Sequence, residues 1–64
     1  MTIRDMLDSG MEIQGKVEVR QWREETNDNM IFCVTESAIF AEEILERRIT
    51  YIWAMDNTLI IEVE

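Results

Sequence analysis

The chain has 64 residues, 14 of them acidic against 6 basic, with no histidine, no proline and one cysteine, and so carries a formal charge of −8. One cysteine excludes an intramolecular disulfide, and there is no Cys/His set from which a structural zinc site could be assembled. A hydrophobic content of 47% with two Trp, one Tyr and two Phe is too apolar for a disordered acidic tail and fits one small domain over residues 1–64, whose core alone supplies only about 3–5 kcal/mol.

Thr2 followed three residues later by Asp5 has the spacing of a capping box, and Ile3, Met6 and Leu7 then fall on one face before Gly10 offers a left-handed stop. The pattern predicts a two-turn helix over residues 2–9. From Met11 the period becomes two: Met11, Ile13, Val17 and Val19 alternate with Glu12, Gln14, Lys16, Glu18 and Arg20, predicting a half-buried strand in which Gly15 marks a bulge or the close approach of another element. The polar stretch Glu24-Glu25-Thr26-Asn27-Asp28-Asn29 reads as a hairpin tip. Met30 to Thr35 is apolar almost throughout and predicts a central strand covered on both faces, with Cys33 as a small core thiol. Ser37 is placed to cap a second helix carrying the stripe Ile39, Phe40, Ile44 and Leu45, with Arg47 and Arg48 at its C-terminal end, where the helix dipole favours cations.

The segment from Ile49 to Glu64 predicts a second hairpin, and side-chain parity bears on its loop. A two-residue Asp56-Asn57 loop pairs Met55 with Thr58, Trp53 with Ile60 and Tyr51 with Glu62, which puts the two apolar rows on opposite faces. A three-residue loop, Met55-Asp56-Asn57, pairs Trp53 with Leu59, Tyr51 with Ile61 and Ile49 with Val63 on one face, and parity favours that register. The expected fold is α+β: a small antiparallel sheet of about four strands with two short helices, in the order helix-strand-strand-helix-strand-strand. Its expected core is Ile13, Val17, Val19, Phe32, Val34, Tyr51, Trp53, Leu59 and Ile61.

Enzyme chemistry has few footholds in this composition. General acid–base work near neutrality most often recruits histidine, Cys33 lacks a histidine partner, and two glycines do not build a phosphate-binding loop. Carboxylate pairs at helical spacing, Asp5 with Asp8 and Glu42 with Glu46, read as solvated face charges. No catalytic residue, metal ligand or cofactor is therefore expected. The opening residues lack the pattern of a secretory signal and no apolar run approaches the ~20 residues needed to span a bilayer, so the expected location is the cytoplasm, away from membranes. A charge of −8 disfavours direct nucleic-acid contact and favours a basic protein as partner.

The candidate contact residues follow from that charge. Acids cluster at the first hairpin tip (Glu24, Glu25, Asp28), on the second helix (Glu42, Glu43, Glu46) and at Glu62 and Glu64. They read either as ordinary solubilising charge or as carboxylates that imitate a phosphate ladder in the groove of a nucleic-acid-handling enzyme. Trp22 falls on the polar parity of its strand. With Ile52 and Ile60 it forms an expected apolar patch for a partner or for a second copy in a homodimer, unless the helices cover it.

The opening TIRDMLDSGMEIQG and the ending ITYIWAMDNTLIIEVE are similar to short acidic proteins of prophages and mobile elements of gut Firmicutes. That resemblance implies a mobile-element context. Within it, small acidic proteins are often host-defence antagonists of the anti-CRISPR kind, inhibitors that imitate nucleic acid or block a nuclease, so a Cas nuclease is an expected partner. No residue-level motif carries over, because such inhibitors share no common signature.

Overall fold

A computed structural model of the chain describes residues 1–37 and 39–64. The elements run α1 (Ile3–Asp8), β1 (Lys16–Arg23), β2 (Asp28–Thr35), α2 (Glu42–Leu45), β3 (Ile49–Met55) and β4 (Thr58–Val63). The fold is α+β, with two short helices and one four-stranded sheet in the expected chain order. The capping box forms as its spacing predicts: the Asp5 N–H donates to Thr2 Oγ1 and the Thr2 N–H to Asp5 Oδ2, both at 3.1 Å. The Thr2 N–H and then its hydroxyl hold the Asp5 carboxyl below its ordinary value. Gly10 ends the helix at φ +92°.

The sheet order is β2-β1-β4-β3. Two antiparallel hairpins, β1–β2 and β3–β4, are joined at the centre by a parallel pair, β1 with β4, so the sheet is mixed rather than wholly antiparallel. The parallel pair exists because the chain leaves β2 at one edge and returns at the opposite edge as β3. Such a return requires a crossover of a dozen or more residues, and α2 lies within it. The start of the chain is stitched to the same crossover: Thr2 bridges Arg48, and the Ile49 N–H donates to the Met1 carbonyl at 2.8 Å.

Several local expectations are corrected. Residues 11–15 are not strand; Gly15, at φ +91°, is the turn that feeds Lys16 into β1, and Met11 is exposed while Ile13 packs against the core from the connection. β2 is an edge strand, not a central one. Its apolar run is split between a side facing the helices, where Phe32 and Cys33 pack on the core, and an exposed side carrying Ile31 and Val34. A bulge opposite Val19 and Arg20 makes this possible, because it inserts Phe32 between the partners Cys33 and Ile31. The second helix is a single turn capped by the backbone of Ala41 without a side-chain bond. The Ser37 N–H donates to the Thr35 hydroxyl, and Ile39 is exposed. The part of that expected helix at Ala38 lies outside the described residues.

The largest correction concerns the second hairpin. Asp56 and Asn57 both sit in the left-handed region, at φ 51° and 59°, and make the two-residue loop that pairs Met55 with Thr58. Trp53 therefore faces Ile60 and Tyr51 faces Glu62, while Ile52 faces Ile61 and Ala54 faces Leu59. The parity conflict disappears at a second bulge, between Ile49 and Tyr51, which returns Ile49 to the core opposite Val63. The Thr50 hydroxyl fastens that bulge by donating to the Glu62 carbonyl at 3.1 Å.

One face of the sheet is thus the core. Val17, Val19, Ile61 and Val63 are buried there against Ile3 and Met6 of α1, with Leu7, Phe40, Ile44, Leu45 and Leu59 around them. Among the described residues no helix packs on the opposite face, and the Cα envelope of 35 × 25 × 17 Å is only thick enough for a sheet and one covering layer. The core expectations at Val34, Tyr51 and Trp53 fail for this reason: all three lie on the uncovered face, the first two exposed and Trp53 half-buried. An Asp56→Ala substitution is expected to cost about 1–2 kcal/mol in urea denaturation and Asp56→Gly close to nothing, because only glycine holds a positive φ without penalty. Equal stability of the two variants would indicate the three-residue loop, in which Asp56 is right-handed.

Candidate functional site

The uncovered face is built from rows of side chains that cross the sheet in register. In strand order, one row is Val34, Glu18, Ile60 and Trp53, and the next is Ile31, Arg20, Glu62 and Tyr51. Trp22, two residues beyond Arg20, continues the face past the point where β1 pairs with β4. The rim is apolar and exposed: Ile31 is 56% accessible, Trp22 47% and Tyr51 70%. Ile60, expected in an exposed patch, is 2% accessible, since it lies in the middle row between Glu18 and Trp53. Ile52 is exposed, but its pairing with Ile61 puts it on the opposite side of β3 from Trp53. The expected patch of Trp22, Ile52 and Ile60 is therefore replaced by one that joins Trp22 to Tyr51, Trp53, Ile31 and Val34.

The centre of this face is polar and held in place. Arg20 pairs with Glu18, and its guanidinium lies over the Trp53 ring, 5.3 Å from the centroid. Arg20 Nε is buried without an acceptor, so the guanidinium is held through Nη2, which pairs with Glu18, and through the indole. The Trp53 indole N–H donates to Glu62 Oε2 at 2.7 Å. Glu62 stands opposite Arg20 across the parallel pair, yet it joins none of the ion pairs found among the described residues. A half-buried carboxylate fixed by an indole and lacking a cation is the most distinctive group on the face.

The acidic clusters are arranged differently. Glu42 and Glu46 both receive the guanidinium of Arg4, which ties α2 to α1, and the same two carboxylates raise the Arg4 pKa. Of the expected helix cluster only Glu43 has no such partner. At the hairpin tip Asp28 takes the Thr26 hydroxyl and lies 3.7 Å from Arg23, while Glu24 and Glu25 are exposed. The clusters are thus partly spent inside the chain, and reversing Glu42 and Glu46 would disturb helix docking as well as surface charge.

Tyr51 and Trp53, which parity places in the core, belong to this face, and nothing in the sequence sets Glu62 apart from the other acids. The Asp-Asn dipeptide was the available signal, because both residue types tolerate the left-handed region that a two-residue hairpin loop needs. Among the described residues no helix is long and apolar enough to cross a membrane, and no three His, Cys, Asp or Glu side chains gather as metal ligands would. No protein-family model matches the chain, and no curated protein or solved structure shows significant similarity to it.

Cys33, the free thiol, packs beside the core on the helix side of β2. Burial pushes its pKa up and outweighs the opposing hydrogen bond with the Val19 backbone. Its reaction with a disulfide reagent is expected to run at least about tenfold slower in the folded chain than in urea, since less thiolate is present and access is restricted. Equal rates in the two states would contradict this placement.

Proposed function

We propose that the chain is a non-enzymatic protein-binding module and that the uncovered face of its sheet is the contact surface. The observation that carries the reading is the face itself: aromatic and β-branched side chains around a fixed polar centre, with no covering layer from the chain's own helices. Tryptophan and tyrosine are the residue types that dominate contact energies, and a polar centre fixes orientation. A basic protein is the favoured partner, because a charge of −8 steers a cationic surface toward the chain at ordinary ionic strength. The resemblance to prophage proteins gives that partner a class, a nucleic-acid-handling enzyme of the host such as a Cas nuclease, inhibited in the host cytoplasm.

Among the acids, Glu24, Glu25 and Glu43 remain free to add to this attraction, whereas Glu42, Glu46 and Asp28 already have partners within the chain. Homodimerisation through the same face is the second reading, favoured by its apolar rim. It is weakened by charge, since two copies would bring −8 against −8.

The test compares capture of host proteins by the immobilised chain and by two variants, Ile31→Asp/Tyr51→Asp on the face and Glu24→Lys/Glu25→Lys at the tip. The face variant is expected to lose the specific partner at least tenfold, about 1.4 kcal/mol, and the tip variant to lose less. Retention by the face variant with loss by the tip variant would move the contact to the acidic hairpin. Sedimentation showing a stable dimer that the face variant dissolves would favour the second reading.

A further inference from the structure

We infer that one end of the uncovered face is a receptor for an arginine side chain of the partner. This rests on the protein-binding reading above and specifies the chemistry it would recognise. Where β1 runs on past the end of its pairing with β4, the sheet leaves a pocket of about 580 Å³ whose walls include Gln21, Trp22, Tyr51, Trp53, Glu62 and Glu64. Three aromatic rings and two carboxylates line it, and among the described residues no lysine or arginine does. Its volume falls in the range of pockets that hold small ligands.

The chemistry of these groups selects a cation. Aromatic faces attract positive charge through their quadrupole, and the attraction grows where water is displaced. Glu62 supplies the counter-charge: one of its oxygens is engaged by the Trp53 indole, which fixes the carboxylate, and no basic side chain among the described residues pairs with it. A half-buried carboxylate without a counter-ion gains from an incoming cation what an exposed, screened carboxylate would not. Glu64 is a weaker second acceptor, since Arg48 already lies 3.9 Å from it.

Guanidinium fits this site better than ammonium. It is flat, less strongly hydrated, and able to stack on a ring while its edge reaches a carboxylate. The chain itself places a guanidinium over a ring twice, Arg20 over Trp53 while also paired with Glu18, and Arg47 over Phe32, the latter 4.4 Å from the ring centroid. Trp22 and Tyr51 are the exposed rings left for an external guanidinium. Arg20 is committed to Glu18 and to its own indole, so it does not fill the pocket, although its charge lies close enough to weaken a second cation.

The experiment titrates the chain with the blocked tripeptide Gly-Arg-Gly and with its citrulline and lysine counterparts, reading the two indole N–H resonances by NMR. The arginine peptide is expected to shift both resonances saturably at millimolar concentration, and the citrulline peptide, equal in shape but uncharged, to bind at least tenfold more weakly. Glu62→Gln, which keeps an acceptor for the Trp53 N–H, is expected to weaken binding about fivefold or more, and Tyr51→Ala likewise. Citrulline binding as tightly as arginine would overturn the inference, as would shifts confined to the hairpin tip or to α2. A lysine peptide as tight as the arginine one would overturn the guanidinium assignment. If the arginine peptide fails while Ile31→Asp alone still abolishes capture of the protein partner, the pocket is refuted and the wider reading stands; if that variant also leaves capture unchanged, both fall.

Discussion

A four-stranded sheet has two faces, and in this chain the helices cover one. Everything else in the architecture follows from which face they cover. α1 and α2 hold only six and four residues, and both are spent on the side of Val17, Val19, Ile61 and Val63. The other side is left to shelter itself, and it does so through its middle row: Ile60 is buried between its cross-strand neighbours, with Trp53 and Arg20 stacked close by. A small core of this kind contributes few kcal/mol beyond the entropy it must offset, so the covered side is reinforced locally: the two bulges bring Phe32 and Ile49 onto it, and the capping box and the Arg4 bridge hold the helices that cover it.

The same constraint explains which parts of the fold were legible in the sequence. The capping box, the turn of the first hairpin and the period-two run at Val17 and Val19 are local signals and form where their spacing predicts, although the turn shortens to residues 24–27 because Asp28 and Asn29 pair with Arg23 and Trp22 as the start of β2. Sheet order is not local. Nothing in Met30 to Thr35 distinguishes a central strand from an edge strand whose second side is exposed, and the parallel pairing of β1 with β4 depends on where the crossover delivers β3. The hairpin register failed for a more instructive reason. Parity selects a register only where a hairpin has one apolar face, whereas Trp53 and Ile60 make a second one, and a single bulge at Thr50 lets Ile49 rejoin the first.

The candidate site shows the same split. Trp22 was legible because it breaks the polar parity of β1. Tyr51 and Trp53 were hidden by the register, and Glu62 becomes distinctive only when its indole partner and its lack of a cation are seen together. The acid clusters, conspicuous in the sequence, prove less free in the fold: Arg4 engages two of the three helix carboxylates. Long-range attraction still comes from the total charge, which the fold does not alter, while short-range selection falls to the face that the helices leave bare.

The central claim is that the chain covers only one face of its sheet. It is tested most directly by adding a soluble paramagnetic agent to the dilute, isotopically labelled chain and measuring the relaxation of side-chain signals. The account predicts strong enhancement at Trp22, Tyr51, Ile31 and Val34 and near-complete protection at Ile3, Val17, Val19 and Ile61. Protection of Tyr51 and Val34 equal to that of Val17 and Ile61 would contradict it, because the second face would then be covered and the contact surface would have to lie elsewhere.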